Sequence, residues 1–162
     1  MLIKKYNYIK QYWKKIQSGE LKVSRKVYLM MQQLIDIIDG KDKRYHFDAV
    51  LANAPIVFIE TFCKQSKGKH MGKDLKLELY EKVIIQAIYG IVDKKGLRKY
   101  SEALIIMGRK NGKSTLLSGL GIYGLLGEGE GGPEIDCIST KKDAAKIVFN
   151  EAKNMVRQSP YL

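Results

Sequence analysis

The sequence Ala103-Leu-Ile-Ile-Met-Gly-Arg-Lys-Asn-Gly-Lys-Ser-Thr-Leu-Leu-Ser-Gly-Leu120 joins two apolar runs through a polar loop that contains two glycines. Residues 103–107 have the short, continuous apolar character of a buried strand. Residues 108–112 show no periodic pattern and carry flexible and charged side chains, which is typical of a turn. From Lys113 onward apolar residues recur at helical spacing. The stretch therefore predicts a strand, a loop and a helix that begins at Lys113.

This arrangement suits the binding of a phosphate group. The first N–H groups of a helix have no partner within the helix and carry partial positive charge, so a loop folded over them attracts a polyanion. Gly112 has no Cβ and lets the backbone come close to the phosphates. Lys113 would reach the β- and γ-phosphates, Ser114 would complete a Mg²⁺ shell, and Thr115 would add a hydroxyl near the α-phosphate.

The loop is a variant of the Walker A pattern Gly-x-x-x-x-Gly-Lys-[Ser/Thr]. The first glycine of that pattern would fall at Met107, whereas the glycine in this chain is Gly108. A Gly-Lys-Ser triplet also occurs in exposed basic turns that bind nothing. The flanking strand and helix favour nucleotide binding, with ATP and Mg²⁺ as the expected cofactors.

Residues 109–114, Arg-Lys-Asn-Gly-Lys-Ser, and the preceding residues 98–105, Arg-Lys-Tyr-Ser-Glu-Ala-Leu-Ile, resemble the large terminase subunit of tailed bacteriophages. The resemblance extends from about residue 45 to 160. It implies an ATPase that moves double-stranded DNA into a viral prohead, followed by an endonuclease domain of the ribonuclease-H type. It also implies a homo-oligomeric ring, a small terminase subunit and a portal protein as partners, and a location in the host cytoplasm and transiently at the prohead.

The resemblance further implies which residues hold the nucleotide. They are the residues of the loop and the helix start: Gly108, Arg109, Lys110, Asn111, Gly112, Lys113, Ser114 and Thr115. Lys113 and Arg109 would be catalytic and Ser114 would bind the metal ion. Arg109 would stabilise charge on the γ-phosphate as an arginine finger supplied in cis, or else face solvent or DNA. Lys110 would add a phosphate contact or stay solvated.

In the same family an aromatic-Gln pair ahead of this region helps to hold the adenine. Tyr80-Glu81 occupies that place here, so both residues are candidate adenine contacts. Glutamine both donates to and accepts from an adenine edge, whereas an ionised Glu81 only accepts. The substitution weakens the expectation that position 81 recognises adenine.

Length and composition set further bounds. The 162 residues predict one domain with a core. After Thr115 there is no apolar run ending in the acidic pair that a P-loop ATPase uses to hold Mg²⁺, and the nuclease carboxylates are also missing, so we expect the N-terminal piece of a longer protein. The net charge of +12, from 29 Lys and Arg against 17 Asp and Glu, favours polyanionic partners, although it also fits a merely basic surface.

Cys63 and Cys137 are expected to be reduced thiols, and His46 and His70 have no metal-ligand spacing. No membrane span is expected.

The rest of the chain predicts helices before the loop. The apolar positions of the first helix are Leu2, Tyr6, Ile9, Trp13 and Ile16, with Lys4 and Lys5 among its lysines. A second helix is predicted over 24–39 with Met30 inward, a third over 45–62 that Pro55 kinks or splits, and a fourth over 76–89. Residues 91–98 suggest a hairpin, residues 134–139 a second parallel strand, and Thr140 to Asp143 a capping box for a last helix.

The predicted fold class is α/β, with a helical N-terminal region followed by the first βαβα part of a P-loop NTPase parallel sheet. The predicted domains are a helical region over 1–63, a basic connector over 64–75 and an incomplete P-loop ATPase domain over 76–162. Two other functions stay open on sequence alone. One is a different P-loop enzyme, such as a helicase or a small-molecule kinase, and the other is a basic nucleic-acid-binding module without enzyme activity.

Overall fold

The computed structural model describes residues 6–162. Its elements are α1 (Tyr8–Gln17), α2 (Arg25–Ile38), β1 (Tyr45–Phe47), α3 (Ala49–Phe62), α4 (Leu79–Gly90), β2 (Ile91–Asp93), α5 (Lys113–Leu126) and α6 (Lys142–Gln158), with a short 3₁₀ helix at Gly68–His70. The predicted helix positions Leu2, Lys4 and Lys5 lie outside the described residues.

The described chain packs as two units. The first contains the described residues up to Ile56 together with Glu78–Leu104, and the second contains Val57–Leu77 and Ile105–Leu162. This division does not test the predicted domain boundaries at residues 63 and 75, which stay a prediction.

The first unit is built around the inward faces of α1, α2 and α4. Ile9, Met31, Leu34, Ile37, Val83 and Ile91 form its buried core. Ser24 caps α2 through a hydrogen bond from the Val27 N–H to its side chain, and Gly40 follows the helix with φ +79°, as the turn residues around α2 predict. Met30, predicted inward, is 45% exposed, and its neighbour Met31 is the buried residue. Because two methionines are adjacent, the sequence does not show which of them lies on the apolar face of α2. In the structure, Met31 lies on that face.

A small antiparallel sheet completes the first unit. β1 pairs with β2 in the register Tyr45 with Asp93 and Phe47 with Ile91. The predicted helix start at Tyr45 is therefore wrong: residues 45–47 are a strand, and α3 begins only at Ala49, with Pro55 inside it and no division into two helices. The predicted turn after β2 is present, because the Asp93 carboxylate accepts hydrogen bonds from the N–H groups of Lys95 and Leu97, and Gly96 has φ +82°.

The second unit packs α5 against α6 and against residues 57–62 of α3. Gly119 lies against Ile59, since a Cβ at Gly119 would come within 3.2–3.3 Å of three Ile59 side-chain carbons. The rings of Phe58 and Tyr123 meet edge to face at 5.5 Å. The Ser118 hydroxyl donates to the Val148 carbonyl at 2.8 Å, which joins α5 to α6. The glycines of α5 thus allow a close helical layer beneath the loop.

The basic connector is a closed loop in this unit. The N–H of Gln65 donates to the Lys73 carbonyl, and the N–H of Gly72 donates back to the Gln65 carbonyl, both at 2.8 Å. Gln158 of α6 accepts from the Gly72 N–H at 3.1 Å and donates to the Ser66 carbonyl at 3.3 Å. These bonds fasten the loop to the end of α6.

The fold is mixed helix and strand, which is compatible with the predicted α/β class. The parallel sheet is not confirmed, because the sheet among the described residues consists of β1 and β2 alone. Residues 103–107 and 134–139 carry no strand pairing, and Leu104, Ile106 and Ile138 are 87%, 83% and 87% exposed. An apolar strand of a parallel sheet needs neighbours on its edges and faces, and these two segments lack them here.

The last helix, α6, differs from the prediction at its start. The capping box predicted for α6 is not formed: the helix begins at Lys142, its N-cap is Lys141, and no side chain caps it. It ends at Gln158, before Pro160, as predicted.

Among the described residues, no helix combines the length and apolar character needed to cross a bilayer.

Candidate functional site

The loop that precedes α5 has the backbone form expected of a phosphate-binding turn. Gly112 is the N-cap of α5 in the left-handed conformation, with φ +72° and ψ +3°. The N–H of Leu116 donates to the Gly112 carbonyl at 2.9 Å, which closes the first helical turn. The helix therefore begins at Lys113, as the sequence predicts, and the N–H groups of its first residues point out of the helix end.

The preceding residues form a tight turn. Lys110 has φ +66° and is the non-glycine residue with positive φ among residues 6–162. The Asn111 side-chain amide donates to the Gly108 carbonyl at 3.4 Å, and a Cβ at Gly108 would lie 3.2 Å from that amide nitrogen. The glycine one place later than in the usual Walker A pattern thus makes room for Asn111 to fold back over the turn.

The side chains of this segment are available to a ligand. Arg109, Lys110, Asn111 and Lys113 are exposed, while Ser114 and Thr115 are half-buried. An anion at the helix end would thus meet the partial positive charge of α5 and three cationic side chains from one short segment. The loop residues that the sequence singles out from Gly108 to Lys113 are thus exposed to solvent.

A buried carboxylate contacts the first turn of α5. Glu151 of α6 is 6% exposed, and one of its oxygens accepts hydrogen bonds from the Ser66 hydroxyl and, at 3.4 Å, from the Thr115 hydroxyl. Its other oxygen lies 2.9 Å from the Lys67 ammonium. We refer to Ser66, Lys67, Thr115 and Glu151 as the buried carboxylate cluster.

The ionised form of Glu151 is favoured. Burial acts to raise the pKa of its carboxyl, but the hydrogen bonds from Ser66, Lys67 and Thr115 and the positive charge of Lys67 together bring the pKa below its ordinary value. Sequence reasoning missed this residue. The available signal was an acidic residue on the apolar face of α6, between Val148 and Met155, which is costly unless donors surround it.

The residues proposed for adenine have local roles in the first unit. The N–H of Glu78 donates to the Glu81 carboxylate at 2.8 Å, which fastens the start of α4. Burial raises the pKa of the Glu81 carboxyl, against the lowering effect of that hydrogen bond. Burial likewise raises the pKa of the half-buried Tyr80, and the charges of Glu81 and Glu78 add to the effect. Adenine recognition by these two residues stays a prediction.

Another polar residue of α4, Gln86, is fully buried. Its carbonyl oxygen accepts from the N–H groups of Tyr8 and Ile9 at 2.8 and 3.2 Å. Its amide nitrogen donates to the Tyr6 carbonyl and to Asn53 at 2.8 and 3.1 Å. Because these partners satisfy it, Gln86 is a structural residue that fixes the start of α1.

Side chains that could ligate a metal ion are not grouped together in the described part of the chain. Within residues 6–162, no three His, Cys, Asp or Glu side chains are grouped as a metal site. Burial raises the pKa of the Cys63 thiol to about 11, so this thiol stays protonated. A single hydroxyl such as Ser114 suits Mg²⁺ only where phosphates and water supply the other oxygen ligands.

The chain is similar to known proteins over the region that contains this site. The sequence model of the family described as "Terminase large subunit, ATPase domain" matches residues 79–162. A curated relative, the "Terminase, large subunit" of Enterobacteria phage HK97, is 33% identical over 108 residues, which cover 66% of this chain and 20% of the relative. The matched region thus spans about a fifth of the relative's length. No solved structure matches the chain significantly.

Proposed function

The chain belongs to the family of terminase large subunits, through their ATPase domain, and from this premise we propose that it binds Mg²⁺-ATP for a motor that packages viral DNA. The observation that supports the proposal is the left-handed Gly112 immediately before the exposed start of α5. A helix end of this kind, opened by a glycine and a lysine, is suited to hold the phosphate tail of a nucleotide.

Each residue of the loop has a proposed role. Lys113 places its ammonium against the β- and γ-phosphates and neutralises charge there, and the Ser114 hydroxyl is one oxygen ligand of Mg²⁺. Bound Mg²⁺ would supply electrostatic stabilisation of the phosphate oxygens. Arg109 stabilises charge on the γ-phosphate as an arginine finger supplied in cis. The remaining candidates, Gly108, Lys110, Asn111, Gly112 and Thr115, surround the phosphates through backbone N–H groups, charge or a hydroxyl.

The activity and partners of the whole protein are further proposals, because the similarity spans only a fifth of the relative. They are ATP hydrolysis coupled to movement of double-stranded DNA, a homo-oligomeric ring, a small terminase subunit, a portal protein, and action in the host cytoplasm and at the prohead. The endonuclease domain expected of the family would lie in other parts of such a protein. A net charge of +12 favours a DNA partner.

We propose that residues 103–107 and 134–139 are neighbouring strands of a parallel ATPase sheet. In support, Leu104, Ile106 and Ile138 present apolar side chains that a sheet core would cover. In that sheet, the loop before α5 would lie at the carboxyl edge of a strand, where α/β folds bind their ligands.

The test is nucleotide binding by the chain with a matched control. We expect fluorescent ATP to bind weakly in the presence of Mg²⁺, and Lys113→Ala to lower its affinity roughly tenfold or more, because one charge-assisted phosphate contact contributes about 1.5–3 kcal/mol. Lys146→Ala, which removes an exposed lysine of α6 outside the loop, should leave the affinity unchanged. Equal losses of ATP affinity in the two variants would mean that ATP binds through general charge attraction. Unchanged ATP affinity in Lys113→Ala would exclude the proposed phosphate site.

Turnover is measured in the same preparation. We expect phosphate release slower than about 1 per second, the lower end of ordinary enzyme rates, because no acidic strand end follows Thr115 to orient water and Mg²⁺. A faster rate that depends on Lys113 would show that the chain carries a complete catalytic set.

A further inference from the structure

Thr115 connects the proposed phosphate site to the buried carboxylate cluster. It is the third residue of α5, one position after Ser114, and its hydroxyl lies 3.4 Å from Glu151. A negative charge is therefore held, away from water, beside the helix turn that would bind a triphosphate. Charges in a poorly solvated position interact over several ångströms with little screening.

An uncompensated carboxylate at this position would oppose nucleotide binding. The compensating charge comes from a different part of the chain, since the Lys67 ammonium lies 2.9 Å from the free oxygen of Glu151. Lys67 is 67% exposed at its side chain, whereas Glu151 is 8% exposed. The lysine is thus the solvent-facing member of the pair, and the carboxylate is the buried member.

The loop that carries Lys67 is fastened at this place. The Ser66 hydroxyl donates to the same carboxylate, and the Ser66 carbonyl accepts from Gln158. Further along the loop, the Gly72 N–H donates to Gln158. Two residues of α6, Glu151 and Gln158, therefore hold the basic connector against the helix pair that supports the phosphate loop.

We propose that Lys67 is a positioning residue for nucleotide binding, which acts by neutralising Glu151 beside the first turn of α5. The inference rests on the proposed function and deepens it, because it assigns to residues 64–75 a part in setting the affinity for a polyphosphate. With Lys67 in place, the cluster beside Thr115 carries no net charge. Without it, the unpaired carboxylate repels the bound phosphates.

The lowered pKa of Glu151 agrees with this assignment, because the hydrogen bond from Ser66, the hydrogen bond and charge of Lys67 and the hydrogen bond from Thr115 together outweigh the effect of burial. Burial of an unpaired carboxylate would be costly. The hydroxyl donors Ser66 and Thr115 supply hydrogen bonds but no net charge.

The experiment compares four proteins, the unmodified chain and three variants, by the dissociation constants of fluorescent ATP and ADP with Mg²⁺ at low salt. We expect Lys67→Ala to weaken ATP binding roughly tenfold, on the scale of one uncompensated charge near a protein surface. Lys67→Arg should stay close to the unmodified chain. Lys67→Ala combined with Glu151→Gln should recover most of the loss, because the carboxylate that Lys67 neutralises is then also absent.

Two readouts separate this role from a structural one. The loss in Lys67→Ala should be larger for ATP than for ADP, since ATP carries more negative charge, and it should shrink as salt is raised. Thermal unfolding of each variant shows that the chain is folded. A mere loss of stability would weaken ATP and ADP binding equally, so the difference between the two nucleotides separates the proposed role from a structural one.

The outcomes are distinct. If the unmodified chain binds ATP through Lys113 and Lys67→Ala binds it equally well, the present inference is wrong and the proposed function stands. A loss that is equal for ATP and ADP, or that Glu151→Gln fails to rescue, also overturns the inference. If the unmodified chain binds no nucleotide, the proposed function fails, and the inference fails with it.

Discussion

Lys110 has a left-handed backbone conformation, which residues with a Cβ rarely adopt. A left-handed conformation costs a non-glycine residue about 1–2 kcal/mol, and two residues later Gly112 adopts the same conformation without that cost. The strain lies in the exposed turn directly before α5. Such strain persists where the surroundings determine it, which agrees with a loop shaped for a ligand.

Glu81 allows a residue-scale test with a defined pH dependence. Burial raises its pKa in the folded chain, so the folded state holds the proton more tightly than the unfolded state. Stability therefore falls as pH rises from the ordinary carboxyl pKa through the raised value, and it stays lower above that window. We expect Glu81→Gln to raise the unfolding free energy at neutral pH, because the buried charge is then absent.

This gain should disappear in acid, where Glu81 is protonated in both states. Thermal unfolding followed by circular dichroism at neutral and acidic pH measures it, with the exposed Glu130→Gln as the control that should show no gain at either pH. A gain that is the same at both pH values would mean that charge burial is not its cause.

Single residues of the site differ in how far the sequence reveals them. The helix start at Lys113 follows from the glycine, the lysine and the leucine spacing, which are all local. Glu151 and Gln86 could not be placed in the same way, because their partners are 85 and 78 positions away in sequence. A buried polar residue is recognised only when the donors from distant elements are known.

The packing of α4 on α3 sets a limit at the scale of elements. A Cβ at Gly90, the last residue of α4, would lie 2.4 Å from the Ala52 Cβ and 3.1 Å from a Phe47 ring carbon. We expect Gly90→Ala to lower the unfolding free energy by about 1–3 kcal/mol, the usual cost of overpacking. Denaturant unfolding measures it.

Two controls accompany this variant. Gly121→Ala in α5 places a Cβ at an ordinary 3.6 Å from Ile135 and should be neutral or stabilising by up to about 1 kcal/mol, because alanine favours a helix. Ala52→Gly should relieve part of the clash when combined with Gly90→Ala. If Gly90→Ala proved as stable as the unmodified chain, α3 and α4 would not approach as closely as the structure indicates.

The sequence predicts the type of an element correctly where the apolar periodicity is strong, and it fails where the element is too short to show a period. α2 follows from Ser24, the apolar stripe and Gly40. The prediction that a helix begins at Tyr45 is wrong because the three residues of β1, Tyr45 to Phe47, are too few to show an alternating pattern. Only pairing with β2 makes them a strand. The parallel strands predicted at 103–107 and 134–139 would need partners that local sequence does not supply, and these segments carry no strand pairing in the structure.

The whole molecule is strongly basic, and this charge predicts how the proposed binding of double-stranded DNA depends on salt. With a net charge of +12, we expect affinity for double-stranded DNA of any sequence to fall roughly tenfold or more between about 50 and 200 mM salt, through loss of counterion release. Fluorescence anisotropy with two duplexes of unrelated sequence measures it. Constant affinity over this range, or a strong preference for one duplex, would reject charge as the driving force.

The contacts of Gln86 also affect how fast backbone amide hydrogens of α1 exchange with solvent. Amides at a helix start ordinarily exchange with deuterium within moments, because nothing in the helix protects them. Those of Tyr8 and Ile9 are held by a fully buried side chain of α4, so their exchange should require α4 to separate from α1. The N-terminal end of α1 would thus report on the opening of the whole first unit, and not on local fraying.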